Sequence, residues 1–213
     1  MELNVNIWVG LSLFGFAQGI FLSFVLFFHK RGNQNANKIL AILIFLFSLR
    51  LGEFVAYWTS FFNSFPHLLY TTSSFQFLFG VLLYFYAKTI IDKQFTFKKI
   101  YLLHLLPFVL QVILFIPFYL QSAQYKIDIF NQVILTDSPD FSVNFFILRS
   151  VQYMHMLVYS ITTLLLIKNY NPQLKNGELA LEKINLKWLK NLTIGFLVFI
   201  CLSLIHSNLQ PKH

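Results

Sequence analysis

The residues of this sequence that could do chemistry are a few polar and charged side chains set inside long apolar runs. Arg50 and Glu53 lie near the middle of one such run. On a helix, residues three apart share a face, so the guanidinium and the carboxylate can pair. Two interpretations follow. Either the pair neutralises itself and packs helices together, or one partner serves a ligand or changes partner during a conformational change.

Further polar residues lie at comparable depth in other runs. Counted at about 1.5 Å per residue from the ends that the charge pattern places outside, these residues lie about 10–20 Å deep. They either hydrogen-bond across helices and fix the packing, or line a pocket that opens to the outer side for a small ligand. Arg149 shares one face of its run with Gln152. The complete set of ligand or switch candidates is Gln18, Arg50, Glu53, Gln111, Arg149, Gln152 and His155.

The composition excludes most chemistry outside a membrane. Of the 213 residues, 57% are hydrophobic and 11% are charged, against about 45–50% and about 25% in an ordinary soluble domain. The sequence contains no phosphate-binding loop, nucleophile elbow or zinc-protease motif, and its six His residues have no metal-ligand spacing. We therefore expect neither a metal nor a cofactor, and a non-enzymatic protein.

The elements that carry these side chains are long enough to cross a bilayer, which takes about 20 apolar residues as a helix. Six runs lack the strict alternation of barrel strands. They predict an all-α polytopic membrane protein, with residues 1–213 forming one helical membrane domain and no soluble domain. The predicted spans are Val5–Phe28, Ile39–Phe62, Thr71–Ile91, Ile100–Leu120, Phe145–Ile167 and Trp188–Ser207.

The basic residues predict the orientation of these spans. Twelve of the sixteen Lys and Arg residues lie in or beside the first, third and fifth connectors. Because Lys and Arg are retained on the cytoplasmic side, these connectors are predicted to be inside. The N-terminus is then outside, in a multi-pass protein of the cell inner (cytoplasmic) membrane whose main partner is the lipid bilayer.

Gly15 and Gly19 form a small-residue motif in the first span. Glycines four residues apart let two helix backbones approach closely. The motif predicts either close packing within the chain or a homodimer.

A series of short segments carries a resemblance to a known family. The segments are Phe14-Gly15-Phe16-Ala17-Gln18-Gly19-Ile20-Phe21-Leu22, Asn35-Ala36-Asn37-Lys38-Ile39-Leu40-Ala41, Arg50-Leu51-Gly52-Glu53, Phe65-Pro66-His67-Leu68, Phe79-Gly80-Val81-Leu82-Leu83-Tyr84-Phe85-Tyr86, His104-Leu105-Leu106-Pro107-Phe108 and Lys183-Ile184-Asn185-Leu186-Lys187-Trp188-Leu189. In this order they resemble the membrane half of the membrane-anchored AraC-type helix-turn-helix regulators of Bacteroidetes-like bacteria.

The resemblance implies a seven-helix sensory or anchoring domain, followed by a cytoplasmic DNA-binding domain. The sequence contains six predicted spans and no helix-turn-helix units, so we expect either a truncated or split regulator or a stand-alone relative, without direct nucleic-acid binding. Its expected ligand is small and comes from the outer side or from the lipid. The alternative function is a small transporter or channel component.

Overall fold

The protein is described by a computed structural model that covers residues 7–92, 94–135, 143–170 and 179–209. Within these ranges the regular elements are helices, as the sequence predicts. The α-helices are α1 (Ile7–Phe28), α2 (Gln34–Trp58), α3 (Gln76–Ile91), α4 (Leu106–Tyr119), α5 (Ala123–Leu135), α6 (Val143–Lys168) and α7 (Leu179–Leu209). Four short 3₁₀ helices cover Phe61–Asn63, Pro66–Leu68, Ser73–Phe75 and Lys99–Leu105.

Five helical stretches of the described chain are long and apolar enough to cross a membrane. They are Ile7–Phe28, Gln34–Trp58, Pro66–Ile91, Lys99–Tyr119 and Ile147–Lys168. Large apolar side chains stay exposed along them, including Phe21 at 69% and Leu114 at 71%. Soluble monomers rarely expose contiguous apolar surface of this extent, so the helices indicate a membrane protein. The sixth predicted span, Trp188–Ser207, falls within α7, where part of the side chains lies outside the described residues.

The second helix begins five residues before the predicted span because Asn33 caps it. The Asn33 side chain accepts a hydrogen bond from the Ala36 N–H at 3.1 Å, which satisfies a donor that the helix itself cannot. The Asn33 amide also donates to the Thr89 carbonyl oxygen at 2.9 Å. One polar residue therefore starts α2 and ties it to the last turns of α3.

The third and fourth spans begin as 3₁₀ helices rather than as regular α-helices. The predicted start at Thr71 lies in a turn, followed by the Ser73–Phe75 3₁₀ helix and then by α3. In the fourth span, the Lys99–Leu105 3₁₀ helix passes into α4 with Pro107 in its first turn. Proline lacks the N–H that a mid-helix position needs but fits a first turn. Pro107 therefore marks the change of helix type.

The connector between the fourth and fifth predicted spans contains a further helix. Its first described part is α5, and the Tyr125 N–H donates to the Ser122 Oγ at 3.3 Å as in an N-cap. Phe130 of α5 packs edge-on against Phe62 and Tyr57, with ring centroids 5.5 and 5.2 Å apart. This helix was not predicted from the sequence because its 13 residues are too few to be recognised as a span. It covers one end of the bundle.

The bundle is built around α3. This helix contacts α2, α4 and α6, while α1 packs on α2 and α7 on α6. Nine of its sixteen residues are buried. At Gly80, an added Cβ would lie 2.8 Å from the Tyr159 Cβ and 3.3 Å from the Met156 Cα. The glycine thus allows the close crossing of α3 and α6, the two helices that frame the candidate site.

Candidate functional site

Most of the predicted polar residues converge on one cavity of about 510 Å³. Arg50 and Glu53 come from α2, Gln111 from α4, and Arg149 and Gln152 from α6. The cavity lies where α2 and α4 end and where α3 and α6 begin. The charge pattern of the sequence predicts that this end faces outside. The volume falls within the range of about 300–1,000 Å³ that is usual for small-molecule sites.

The pair of Arg50 and Glu53 predicted from their spacing is present, and a third group joins it. Arg50 Nη1 donates to Glu53 Oε2, and the Thr72 hydroxyl donates to the same carboxylate oxygen. Arg50 Nη1 also lies 3.3 Å from Thr72 Oγ1. The Glu53 side chain is 8% exposed, whereas that of Arg50 is 42% exposed. Both residues line the cavity; the carboxylate is the buried partner and the arginine is the exposed one.

The glutamines of α4 and α6 form a second polar group, which is hydrogen-bonded internally. Gln152 Nε2 donates to Gln111 Oε1 at 2.7 Å and to the Ser73 carbonyl oxygen at 3.0 Å. Both glutamines are buried, Gln111 at 2% and Gln152 at 7% exposure. Buried amides are costly unless paired. This group therefore holds α4, α6 and the turn before α3 together at the cavity floor.

Arg149 is the cation of the cavity that no carboxylate neutralises among the residues that the structure describes. Its side chain is exposed and stands over the ring of Tyr153, with Cζ 6.0 Å from the ring centroid. The one ion pair found in the described ranges is that of Arg50 with Glu53. The charged lining thus consists of two arginines and one glutamate.

The remaining lining of the cavity is mainly apolar and aromatic. The phenylalanines come from α2, α3, α4 and α7, and Leu51 and Leu148 add aliphatic surface. The lining phenylalanines are Phe47, Phe54, Phe79, Phe115 and Phe199. An apolar wall with a few placed polar groups is the usual composition of a small-molecule site.

Two of the predicted residues do not join the cavity. Gln18 is exposed on α1 and is not part of the lining. His155 lies on another face of α6, with its ring 5.1 Å from that of Phe77 and 4.7 Å from that of Tyr159. Its Nδ1 is buried without a hydrogen-bond partner. Both residues were predicted from their depth along a helix, but this depth does not determine the direction in which a side chain points.

Gly15 and Gly19 both face α2. A Cβ at Gly19 would lie 2.0 Å from Ser48 Oγ, and one at Gly15 would lie 3.3 Å from Leu51 Cδ1. Of the two interpretations of this motif, the geometry fits close packing within the chain. Leu51 also lines the cavity, so the packing of α1 positions part of its wall.

The hydroxyl-bearing turn before α3 was not predicted from the sequence. Thr72 and Ser73 contact Glu53 and Gln152, and Gln76 of α3 also lines the cavity. A signal was present, since Thr71-Thr72-Ser73-Ser74 places four hydroxyls in a row at the start of an apolar run.

A second polar cluster lies outside the spans, beneath α5. Lys126 is 1% exposed, and its Nζ lies 2.8 Å from the Tyr119 carbonyl oxygen and 3.0 Å from His67 Nδ1. The ring of Phe118 lies below it, with Nζ 5.5 Å from the centroid. Burial lowers the pKa of the Lys126 ammonium below its ordinary value of 10.5. This lysine fastens α5 to the end of α4 and to the Pro66–Leu68 turn.

No metal site is found in the part of the chain that the structure describes. Within these ranges, no group of three or more His, Cys, Asp or Glu residues is placed to hold a metal ion. Cys201 is a free, exposed thiol on α7.

The function of this cavity has to be inferred from its own geometry. No family model, curated protein or solved structure matches this chain. What the arrangement can do chemically therefore follows from its lining: two guanidinium groups and one fixed carboxylate beside a satisfied amide floor and a phenylalanine-rich wall. Such a cavity suits binding of a small amphipathic molecule.

Proposed function

We propose that this chain is a non-enzymatic, ligand-binding sensory domain of the inner membrane. In this proposal six helices span the bilayer, the N-terminus lies outside, and the cavity opens to the outer side or to the outer leaflet. The resemblance to the membrane half of AraC-type regulators supplies the wider role, which is sensing or anchoring for a transcriptional response.

One observation carries the proposal: side chains from α2, α4 and α6 meet at a single cavity. Helix packing alone requires that polar groups find partners, and the two glutamines and Glu53 do find them. It does not require a cavity of about 510 Å³ with an exposed arginine at its edge. A binding site accounts for both features.

Ligand binding would act through the contacts that join the helices. Arg50 on α2 is the exposed member of its pair, and its partner Glu53 is shared with Thr72 of the turn before α3. A ligand that draws Arg50 toward the cavity competes with Glu53 and loosens the contact between α2 and that turn. A ligand shifts a conformational equilibrium only by its differential affinity for the two states. This pair is the proposed differential contact.

The test is whether the protein retains a bound small molecule when it is extracted from the membrane. We expect native mass spectrometry of the intact chain, extracted from its host membrane, to show a bound small molecule in the wild type. Leu148→Trp fills the cavity and should abolish that adduct. Leu165→Trp makes the same change on the exposed face of α6 and should keep it.

Two results would contradict the proposal. One is an adduct pattern that Leu148→Trp leaves unchanged. The other is flux of a solute through proteoliposomes containing the purified chain that Glu53→Gln abolishes, which would establish the alternative, a transporter or channel component.

A further inference from the structure

The charges in the cavity specify the chemistry of its ligand. Arg50, Glu53 and Arg149 are the lining residues that carry charge at neutral pH. Glu53 is held by Arg50 and Thr72, so this pair contributes no net charge. Arg149 remains, which gives the lining a net charge of +1.

The two glutamines at the cavity floor are already hydrogen-bonded to each other and to the turn before α3. Both amide hydrogens of Gln152 are used, one by Gln111 and one by the Ser73 carbonyl. A neutral sugar or peptide ligand could use these two amides only by displacing the hydrogen bonds that they make now. An anionic group needs only the guanidinium of Arg149, whose planar fork of N–H donors matches a carboxylate or a phosphate.

The rest of the lining selects for an apolar body. Five phenylalanines and two leucines surround the polar floor, and they come from helices whose outer faces expose large apolar side chains. A charged headgroup on Arg149 with a hydrocarbon chain along this wall satisfies both parts. A low-dielectric wall also strengthens the attraction between the arginine and an anion.

Resting on the proposed function, we infer that the cavity binds a small amphipath with a single anionic headgroup, a carboxylate or a phosphate, through Arg149. Arg149 is the residue that determines this specificity. The Tyr153 ring beneath it holds the guanidinium at the edge of the cavity. The phenylalanine wall takes the alkyl chain.

The experiment compares headgroups on one alkyl chain. The full chain is placed in phosphatidylcholine nanodiscs, and binding of radiolabelled dodecanoate, dodecyl phosphate, dodecanol and dodecyltrimethylammonium is measured at pH 8, with empty nanodiscs subtracted. We expect the two anions to bind at least about tenfold more tightly than dodecanol, as a charge-assisted hydrogen bond predicts. The two anions compared with each other distinguish a carboxylate site from a phosphate site.

Arginine variants assign the preference to one residue. Arg149→Gln should remove most of the difference in affinity between dodecanoate and dodecanol, leaving only what Arg50 contributes, and Arg149→Lys should keep more of the difference because it keeps the charge. Arg31→Gln, on an exposed connector residue outside the cavity, should change nothing. Since the Arg149 side chain is exposed, its replacement leaves the buried hydrogen bonds of the cavity floor intact.

The outcomes separate this inference from the proposed function. Equal binding of dodecanoate and dodecanol by the wild type overturns the ligand class, and an anion preference that Arg149→Gln leaves undiminished overturns the role of Arg149. If Leu148→Trp still blocks binding in that case, the binding site itself stands. Absence of binding of all four probes overturns both.

Discussion

Gln152 of α6 donates its amide to Gln111 of α4 across 2.7 Å, and both side chains are buried at the floor of the cavity. Replacing either glutamine leaves the other without its hydrogen-bond partner in an apolar environment. We expect Gln111→Leu and Gln152→Leu each to lower the free energy of unfolding by about 1–2 kcal/mol. The double variant should lose less than the sum, because the two changes share one hydrogen bond.

Thermal or denaturant unfolding in detergent measures this coupling. Couplings of this kind in membrane helices average about 0.6 kcal/mol and reach about 1.7 kcal/mol. Gln121→Leu, in the exposed connector after α4, serves as the control and should be neutral. Strictly additive losses would show that the two glutamines do not act as one unit.

The two members of the ion pair should respond unequally to substitution. Arg50→Gln leaves the Glu53 carboxyl, which is 8% exposed, with Thr72 as its remaining partner. Glu53→Gln leaves an arginine that is 42% exposed and can turn to the cavity. Because an unpaired buried charge is the costlier state, we expect Arg50→Gln to lower the unfolding temperature more than Glu53→Gln does. The reverse order would mean that Arg50 is the fixed partner.

The packing of α1 on α2 depends on Gly19. A Cβ there would overlap Ser48 Oγ at 2.0 Å, and overpacking of this kind costs about 1–3 kcal/mol. We expect Gly19→Ala to destabilise the protein and Ser48→Ala to rescue it in part. A Cβ added at Gly10 would have no atom within 4 Å, so Gly10→Ala is the matched control on the same helix. Equal effects of the two glycine changes would contradict this packing.

The buried Lys126 should make stability depend on alkaline pH. Its pKa is lowered in the folded protein, so between that lowered value and 10.5 the unfolded chain holds more protons than the folded one. Stability then rises as pH is raised through this range. We expect Lys126→Met to remove the rise, measured as unfolding temperature from pH 7 to pH 10.5. Lys98→Met, at an exposed lysine, should keep it.

The long apolar helices and part of the site were predicted from the sequence, each for a different physical reason. Hydropathy indicates which runs can cross a bilayer, and the observed α1, α2 and α6 follow the predicted runs to within a few residues. Depth along a run indicated Gln111 and Gln152 because a helix has a fixed rise per residue. The same rule also selected Gln18 and His155, which do not line the cavity, because depth along a helix does not determine the direction of a side chain.

The parts that were missed depend on tertiary contacts. Lys126 was not predicted as a buried residue, because its burial depends on how α5 packs against the Tyr119 carbonyl and His67. Thr72 belongs to the site only because the turn before α3 reaches Glu53. Neither contact leaves a periodic pattern in the sequence.

The orientation of the protein in the membrane can be measured by thiol labelling of single-cysteine variants in a Cys201→Ser background. Leu148→Cys lies in the cavity, Ser122→Cys on the predicted outer connector and Asn35→Cys on the predicted inner one. In intact cells, a membrane-impermeant maleimide should label the first two and leave Asn35→Cys unlabelled until the membrane is opened. Labelling of Asn35→Cys from outside would reverse the predicted orientation.

The decisive measurement is the labelling rate of Leu148→Cys in phosphatidylcholine nanodiscs with and without dodecanoate. A ligand bound in the cavity should slow labelling at Leu148→Cys severalfold and leave the rate at Ser122→Cys unchanged. Labelling of Leu148→Cys at the same rate with and without every amphipath tested would contradict the assignment of this cavity as a binding site.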